Sequence, residues 1–366
     1  VRKIPFNVLA PAFEAHAAEY EEAALRVLRS GWYVLGAEVE SFESEFADYL
    51  GASHCVGLNS GLDALILAVR ALGIGPGDEV IVQANTYIAT VLAITGCGAM
   101  PVFVEPDEYH GLDAARVEAA VTPRTKAILP VHLYGQPCAM GELLRIAADR
   151  GLAVIEDCAQ SHGAMWRGRK TGTLGTVGCF SFFPTKNLGA FGDAGALVTD
   201  DESLADRVRV LRNYGSKEKY VNEIEGVNSR MDEIQAALLR VRLRFLDAIN
   251  AERAAVAARY AELICSPFVV KPRPRPEATH IFHLYVVECD HRERLQEHLS
   301  AHGIGTQIHY PIPPHLSGAY AHLGYGRGSF PETERLAERV LSLPLYSGMS
   351  EDDIQAVCDA INSFRP

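Results

Sequence analysis

Short apolar runs alternate with amphipathic stretches through the first two thirds of the chain, and the alternation predicts a succession of strands and helices. Residues 62–72 read as a helix, 79–82 as a strand, 86–95 as a helix and 101–104 as a strand. The pattern continues through 112–120 (helix), 127–131 (strand), 140–150 (helix), 153–156 (strand) and 196–199 (strand), with glycine and proline between elements. Such βα alternation predicts one large, doubly wound, mostly parallel α/β domain. From Met231 to Leu263 the pattern changes to a stretch rich in Leu, Ala and Arg and nearly free of Gly and Pro, which predicts a single long helix linking two domains. After the Pro-Arg run at 271–276, residues 283–287 and 306–309 read as strands and 292–302 and 332–341 as helices, a small α+β domain. The expected division is 1–250 for the large domain with its N-terminal segment and 251–366 for the small one.

Composition narrows the function classes. With 34 basic against 46 acidic residues and a net charge of −12, the chain lacks the basic excess that favours nucleic-acid phosphates. Residues 1–6 lack the apolar core of a signal peptide, and no segment gives the roughly 18 uninterrupted apolar residues of a membrane span. Eight cysteines are scattered without a Cys-x-x-Cys pair, as expected of buried thiols in a reducing compartment. A soluble cytoplasmic protein is expected. No His-Glu-x-x-His spacing occurs among the thirteen histidines, so no metal site is expected.

Two segments carry candidate chemistry. Lys186 follows the apolar run Ser181-Phe182-Phe183 and precedes the glycine-rich 189–195. Lysines in such loops ordinarily reach solvent, but burial disfavours the ammonium form, and a neutral amine is what attacks a carbonyl. The second segment, Val154-Ile155-Glu156-Asp157, reads as a buried parallel strand with acids at its carboxyl end, the end that faces the ligand crevice of open α/β sheets. A strand-end aspartate also serves as a helix cap. A lysine and an aspartate together meet the needs of a pyridoxal phosphate enzyme: an amine for the aldehyde and a carboxylate for the pyridinium nitrogen.

With these segments, the chain resembles the DegT/DnrJ/EryC1/StrS family of pyridoxal-phosphate sugar aminotransferases almost from end to end. The match runs through Ser30-Gly31-Trp32-Tyr33-Val34-Leu35-Gly36, Asn59-Ser60-Gly61-Leu62-Asp63-Ala64-Leu65, Val131-His132-Leu133-Tyr134-Gly135, Asn228-Ser229-Arg230-Met231-Asp232-Glu233 and His309-Tyr310-Pro311. The resemblance implies an aspartate-aminotransferase-like (type I) fold. It implies that Lys186 is the cofactor anchor and proton shuttle and Asp157 the partner of the ring nitrogen. Ser60, Gly61, Leu62 and Ser181 would hold the phosphate, Tyr87 would stack on the ring and Gln160 would approach the ring hydroxyl. Asn228 would reach the phosphate from the partner subunit, which implies a homodimer with shared active sites. Lys219, Phe183, His309 and Tyr310 match positions near a nucleotide sugar. His162 and Arg230 lie in matching motifs without an assigned role.

The Gly61-Leu62-Asp63-Ala64-Leu65 form resembles the branch acting at C3 of dTDP-3-keto-6-deoxyhexoses, which implies transamination of that ketone with L-glutamate as donor. Amination of a 4-keto sugar or a keto-cyclitol, and a sugar-responsive regulatory protein on the same fold, are the alternatives. A dehydratase is disfavoured because those relatives carry histidine at the Lys186 position. Four departures stand out: Ala194 for a usual glycine, Gln83 for a frequent proline, a loop at 108–111 shorter than usual, and Phe183 where tyrosine also occurs.

Overall fold

Seven strands build the central sheet of the computed structural model: β1 (His54–Leu58), β2 (Glu79–Gln83), β3 (Met100–Val104), β4 (Thr125–Leu129), β5 (Ala153–Asp157), β6 (Val177–Ser181) and β7 (Gly195–Thr199). The structure describes residues 3–366; Val1 and Arg2, part of the opening segment considered above, lie outside the described residues. The spatial order is β1-β7-β6-β5-β4-β2-β3. Only β7 runs against its neighbours, so the other six strands point the same way. β2 and β7 are buried at every position, as strands covered on both faces by helices must be.

Val56, Leu58, Val80, Val82, Leu129 and Ile155 pack against the helix Gly61–Ala71 and its neighbours on one face. Ile81, Ile128 and Val154 pack with the helices Ala114–Ala120 and Met140–Arg150 on the other. A separate core gathers Tyr260, Tyr285, Leu295, Leu299, Leu341 and Ile361, and Ile4 from the start of the chain joins it. It is built around β8 (Tyr285–Glu288) and β9 (Val340–Leu343), paired antiparallel.

Three expectations change. The long helix expected from Met231 is two helices, Glu233–Leu243 and Leu246–Leu263, interrupted at Phe245 with φ −108° and ψ 1°. Side-chain packing sets the break: Phe245 stacks on the His16 ring at 3.6 Å, and the buried Arg242 donates to the Asn187 carbonyl at 3.2 Å. The helix expected over 332–341 spans Pro331–Arg339, and its last apolar residues belong to β9. Residues 306–309 make a single bridge, Gln307 to Ser342, and no full strand.

Leu284, Val286, Leu336 and Val340 of the C-terminal third pack into the core of the sheet, and a polar contact adds to this. Glu105, just past β3, accepts from the backbone N–H of Glu332 (2.9 Å) and Thr333 (2.8 Å) and from the Thr333 hydroxyl (2.7 Å). A carboxylate there satisfies the free donors of the helix Pro331–Arg339 and opposes its dipole.

Candidate active site

The parallel strands aim their carboxyl ends at one place, and the segments leaving β1, β2, β5 and β6 line a cleft of about 620 Å³. Ser60 and Gly61 leave β1, Thr86 and Tyr87 leave β2, Asp157 ends β5, and Ser181 ends β6 with Lys186 beyond it. His309 and Tyr310, from the C-terminal third, close the opposite wall. This is the crevice an open α/β sheet offers to ligands.

Lys186 is partly open to the cleft. Burial lowers its ammonium pKa to about 8, against the opposing pull of the Asp157 charge. Burial likewise raises the Asp157 pKa, countered by the Ala159 N–H at 3.1 Å, the Thr90 hydroxyl at 2.8 Å and the Lys186 charge. Thr90 in turn bonds Thr86 at 2.8 Å. A desolvated carboxylate of this kind suits a cationic ring nitrogen. The two imidazoles lining the cleft carry no charge at neutral pH. Burial, then the Lys186 charge, lowers the His309 pKa to about 4 and holds His283 well below the usual range.

The anion end is built by close approach. A Cβ on Gly61 would meet Ser181 Cβ at 2.5 Å, so only glycine lets the helix Gly61–Ala71 begin against the end of β6. Ser60 caps that helix by accepting from the Asp63 N–H at 3.1 Å, which leaves its hydroxyl proton free to donate. The Gly61 and Leu62 amides open the helix at the cleft, where an anion meets unpaired N–H groups and the positive dipole end. These residues fit a phosphorylated, pyridine-based cofactor: a cradle for the phosphate, a carboxylate for the ring nitrogen, an amine for the aldehyde and the half-exposed Tyr87 ring as a cover.

The DegT/DnrJ/EryC1/StrS aminotransferase family model matches residues 14–362. The chain belongs to this family. It is 50% identical over 364 residues to a dTDP-3-amino-3,4,6-trideoxy-alpha-D-glucose transaminase of Streptomyces venezuelae, covering 99% of this chain and 96% of the relative. It is 49% identical over 362 residues to a dTDP-3-amino-3,6-dideoxy-alpha-D-galactopyranose transaminase of Aneurinibacillus thermoaerophilus, covering 99% of each. The crystal structure of S. venezuelae DesV in complex with a ketimine intermediate superposes with a TM-score of 0.97 at 51% identity, covering 99% of this chain and 98% of that one. As in these aminotransferases, a large, mostly parallel sheet carries the site.

Of the residues singled out from the family motifs, Ser60, Gly61, Leu62, Tyr87, Asp157, Gln160, Ser181, Phe183, Lys186, His309 and Tyr310 all line the cleft. Lys219 and Asn228 do not: Lys219 sits exposed beside Tyr220 at the turn between the short strands Ser216–Glu218 and Val221–Asn222, and the exposed Asn228 donates to the Tyr214 hydroxyl at 2.9 Å. His162 is buried behind the cleft with its Nε2 unpartnered, and Arg230 bonds Asn213 at 3.1 Å. Ala194 takes an ordinary negative φ, so the missing glycine costs the turn nothing there.

Thr90 and His283 went unread in the sequence. Thr90 had a signal, since it lies three residues after Tyr87 on the helix expected there and so shares its face. His283 had none, because Asn187 orients its ring through a 3.2 Å contact made only in the folded chain. Glu156, the other strand-end acid, is buried away from the cleft and accepts from the Gly172, Leu174 and Gly175 amides while pairing with His132 at 2.9 Å. With Cys158 these two form the only group of three potential metal ligands among the described residues.

Proposed function

We propose that this protein transfers the amino group of L-glutamate to the C3 ketone of a dTDP-linked 3-keto-6-deoxyhexose, using pyridoxal 5′-phosphate and its pyridoxamine form. The observation that carries this reading is the convergence of Lys186, Asp157 and the Ser60-capped start of the helix Gly61–Ala71 on one cleft. Two relatives at about half identity, both named for dTDP-3-amino sugars, support the substrate class. Because one is named for a glucose and the other for a galactopyranose, they do not select the ring stereochemistry.

The cofactor supplies an electron sink for the pair left when Cα loses its proton. Asp157 keeps the ring nitrogen protonated through an ion pair in a low-dielectric site. Lys186 Nζ, neutral in a useful fraction near pH 8, would take the Cα proton and deliver it to the carbon that began as the cofactor's aldehyde. Ser60, Gly61, Leu62 and Ser181 hold the phosphate, Tyr87 covers the ring, and Gln160 reaches the ring hydroxyl. His309, Tyr310 and Phe183 face the sugar. Neutral His283 and His309 add no positive charge beside Lys186, so its lowered pKa comes from burial, opposed by the Asp157 charge.

Asn228 completes the cleft of a second subunit, which makes the working unit a homodimer. The free state of all eight cysteines supports a cytoplasmic, reducing setting, and among the described residues no helix is long and apolar enough to cross a membrane. The test is to incubate the cofactor-loaded protein with L-glutamate and a panel of 3-keto and 4-keto dTDP-sugars and a keto-cyclitol. Release of 2-oxoglutarate with an amine at C3 by NMR is expected. Amination of only the 4-keto sugar or the cyclitol, or no 2-oxoglutarate with any ketone, overturns the reading.

A further inference from the structure

Tyr134 is buried, and its backbone takes a left-handed φ of 61°, uncommon for an aromatic residue. Its backbone N–H donates to Gln160 Oε1 at 2.7 Å, which turns the Gln160 amide nitrogen toward the Tyr310 hydroxyl at 3.1 Å. Its own phenol donates to the His309 carbonyl. The path from Tyr134 through Gln160 and Tyr310 to His309 and back is a circuit of three hydrogen bonds closed by the chain between the adjacent residues His309 and Tyr310. Tyr134 and Gln160 come from the segments that follow β4 and β5, whereas His309 and Tyr310 come from the C-terminal third. The circuit therefore joins the two walls of the cleft. Gln160, His309 and Tyr310 line that cleft and Tyr134 does not, so Tyr134 acts on its contents only through them.

The tyrosine is backed by the short loop at 107–111. His110 packs edge-on against its ring, with centroids 5.6 Å apart. The His110 carbonyl accepts from both Gln83 Nε2 and Asn85 Nδ2 at 3.1 Å. Gln83 thus holds this loop. From outside, the Pro-Arg run clamps the same loop: Arg275 pairs with Asp107 and lies over the Tyr109 ring at 4.4 Å, and Arg273 pairs with Glu108 at 2.8 Å. A run that reads in sequence as an interdomain break is a strap.

We propose that Tyr134 is a positioning residue that sets the His309–Tyr310 wall against Gln160, and so fixes where the keto sugar rests, with the 107–111 loop as its backing. The inference rests on the reading that the sugar meets this wall. Burial keeps the Tyr134 phenol protonated, so it remains a donor across the working pH range.

Tyr134→Phe deletes the hydroxyl and keeps the ring against His110. Hydrogen exchange of residues 307–313, measured without substrate, is expected to speed up about three- to tenfold, the loss of one net hydrogen bond, with residues 181–190 unchanged. In turnover, KM for the keto sugar rises by about the same factor, while kcat and the glutamate KM hold. Unchanged exchange at 307–313, or a fall in kcat with KM fixed, overturns the proposal. Should no keto sugar in the panel react, the exchange measurement alone decides, so a wrong substrate is told apart from a wrong role. If Tyr134→Phe does not fold, His110→Asn takes its place. Asparagine tolerates the left-handed φ of 65° and keeps the carbonyl acceptor; faster exchange at 307–313 supports the proposal and unchanged exchange overturns it.

Discussion

The two halves of the cleft are made differently. The cofactor half consists of strand ends and one helix N-terminus: Asp157 ends β5, Ser181 ends β6, and Ser60 caps the helix that Gly61 lets approach β6. Each of these groups is placed by backbone that the sheet itself fixes. The substrate half consists of loop residues held by contacts from far along the chain. His309 bonds Ser342 at 2.8 Å, Tyr310 bonds Gln160, and Lys219 lies outside the cleft. The difference teaches that reaction chemistry is anchored in the sheet, where it resists change. Substrate choice hangs on tertiary contacts that substitutions elsewhere can shift.

The sharpest break of this comparison is Lys186→Ala. Loss of the general base lowers transamination by about 10²- to 10⁴-fold or more, and borohydride reduction no longer fixes cofactor to the chain. The keto-sugar wall is untouched, so nucleotide-sugar binding by calorimetry is expected to persist. Asp157→Asn follows, at about 10²- to 10³-fold in kcat, the scale of losing a preorganised charge partner. Because the Asp157 charge holds the Lys186 pKa up, its removal moves the midpoint for amine deprotonation below about 8. Cofactor capture by the empty protein, which rises with pH as the amine loses its proton, is therefore expected to have a midpoint near 8 in the parent and a lower one in the variant. A midpoint that stays put or rises contradicts the assigned coupling.

A smaller effect on the same half comes from Thr90→Val. A hydrogen bond to a charged group is worth about 1.5–3 kcal/mol, so kcat is expected to fall about ten- to a hundredfold with the KM for the keto sugar unmoved. The subunit-crossing part of the phosphate site is tested by mixing inactive Lys186→Ala with weakened Asn228→Ala protein. If Asn228 serves the partner's cleft, exchange of subunits assembles one intact site and activity returns; no recovery removes Asn228 from the shared site. Least is expected of Phe183→Tyr. The side chain is half-exposed, and a change there is worth about ±0.5 kcal/mol, seen as a shift of about twofold in the keto-sugar KM.

Much of the architecture was legible in the sequence because a βα sheet writes its periodicity locally. Residues 140–150 were expected as a helix and are one, and 79–82, 101–104 and 153–156 fall within β2, β3 and β5. The small C-terminal unit was less legible. The run 332–341 is apolar enough for either state at its end, and pairing with β8 makes Val340–Leu343 a strand. The break at Phe245 is equally invisible in a stretch of good helix formers, because it is imposed by the His16 ring from the start of the chain.

The sequence by itself determined much of the βα order, and with it the placing of Asp157 at a strand end; the strands 54–58 and 177–181 were not among those expected, so Ser60, Ser181 and the role of Lys186 came from the family motifs. The βα order follows from short-range physics, since burial of apolar runs and the conformational freedom of glycine act within a few residues. Only the tertiary structure decided which acid faces the cleft, Asp157 opposed to Lys186 or Glu156 turned into backbone amides, because alternate residues of a strand point to opposite faces and the sheet's surroundings settle which face is which. It also decided the wall facing the sugar. The hydrogen-bonded pairs Tyr134–His309 and Gln160–Tyr310 are 175 and 150 residues apart in sequence, so these contacts exist only in the folded chain.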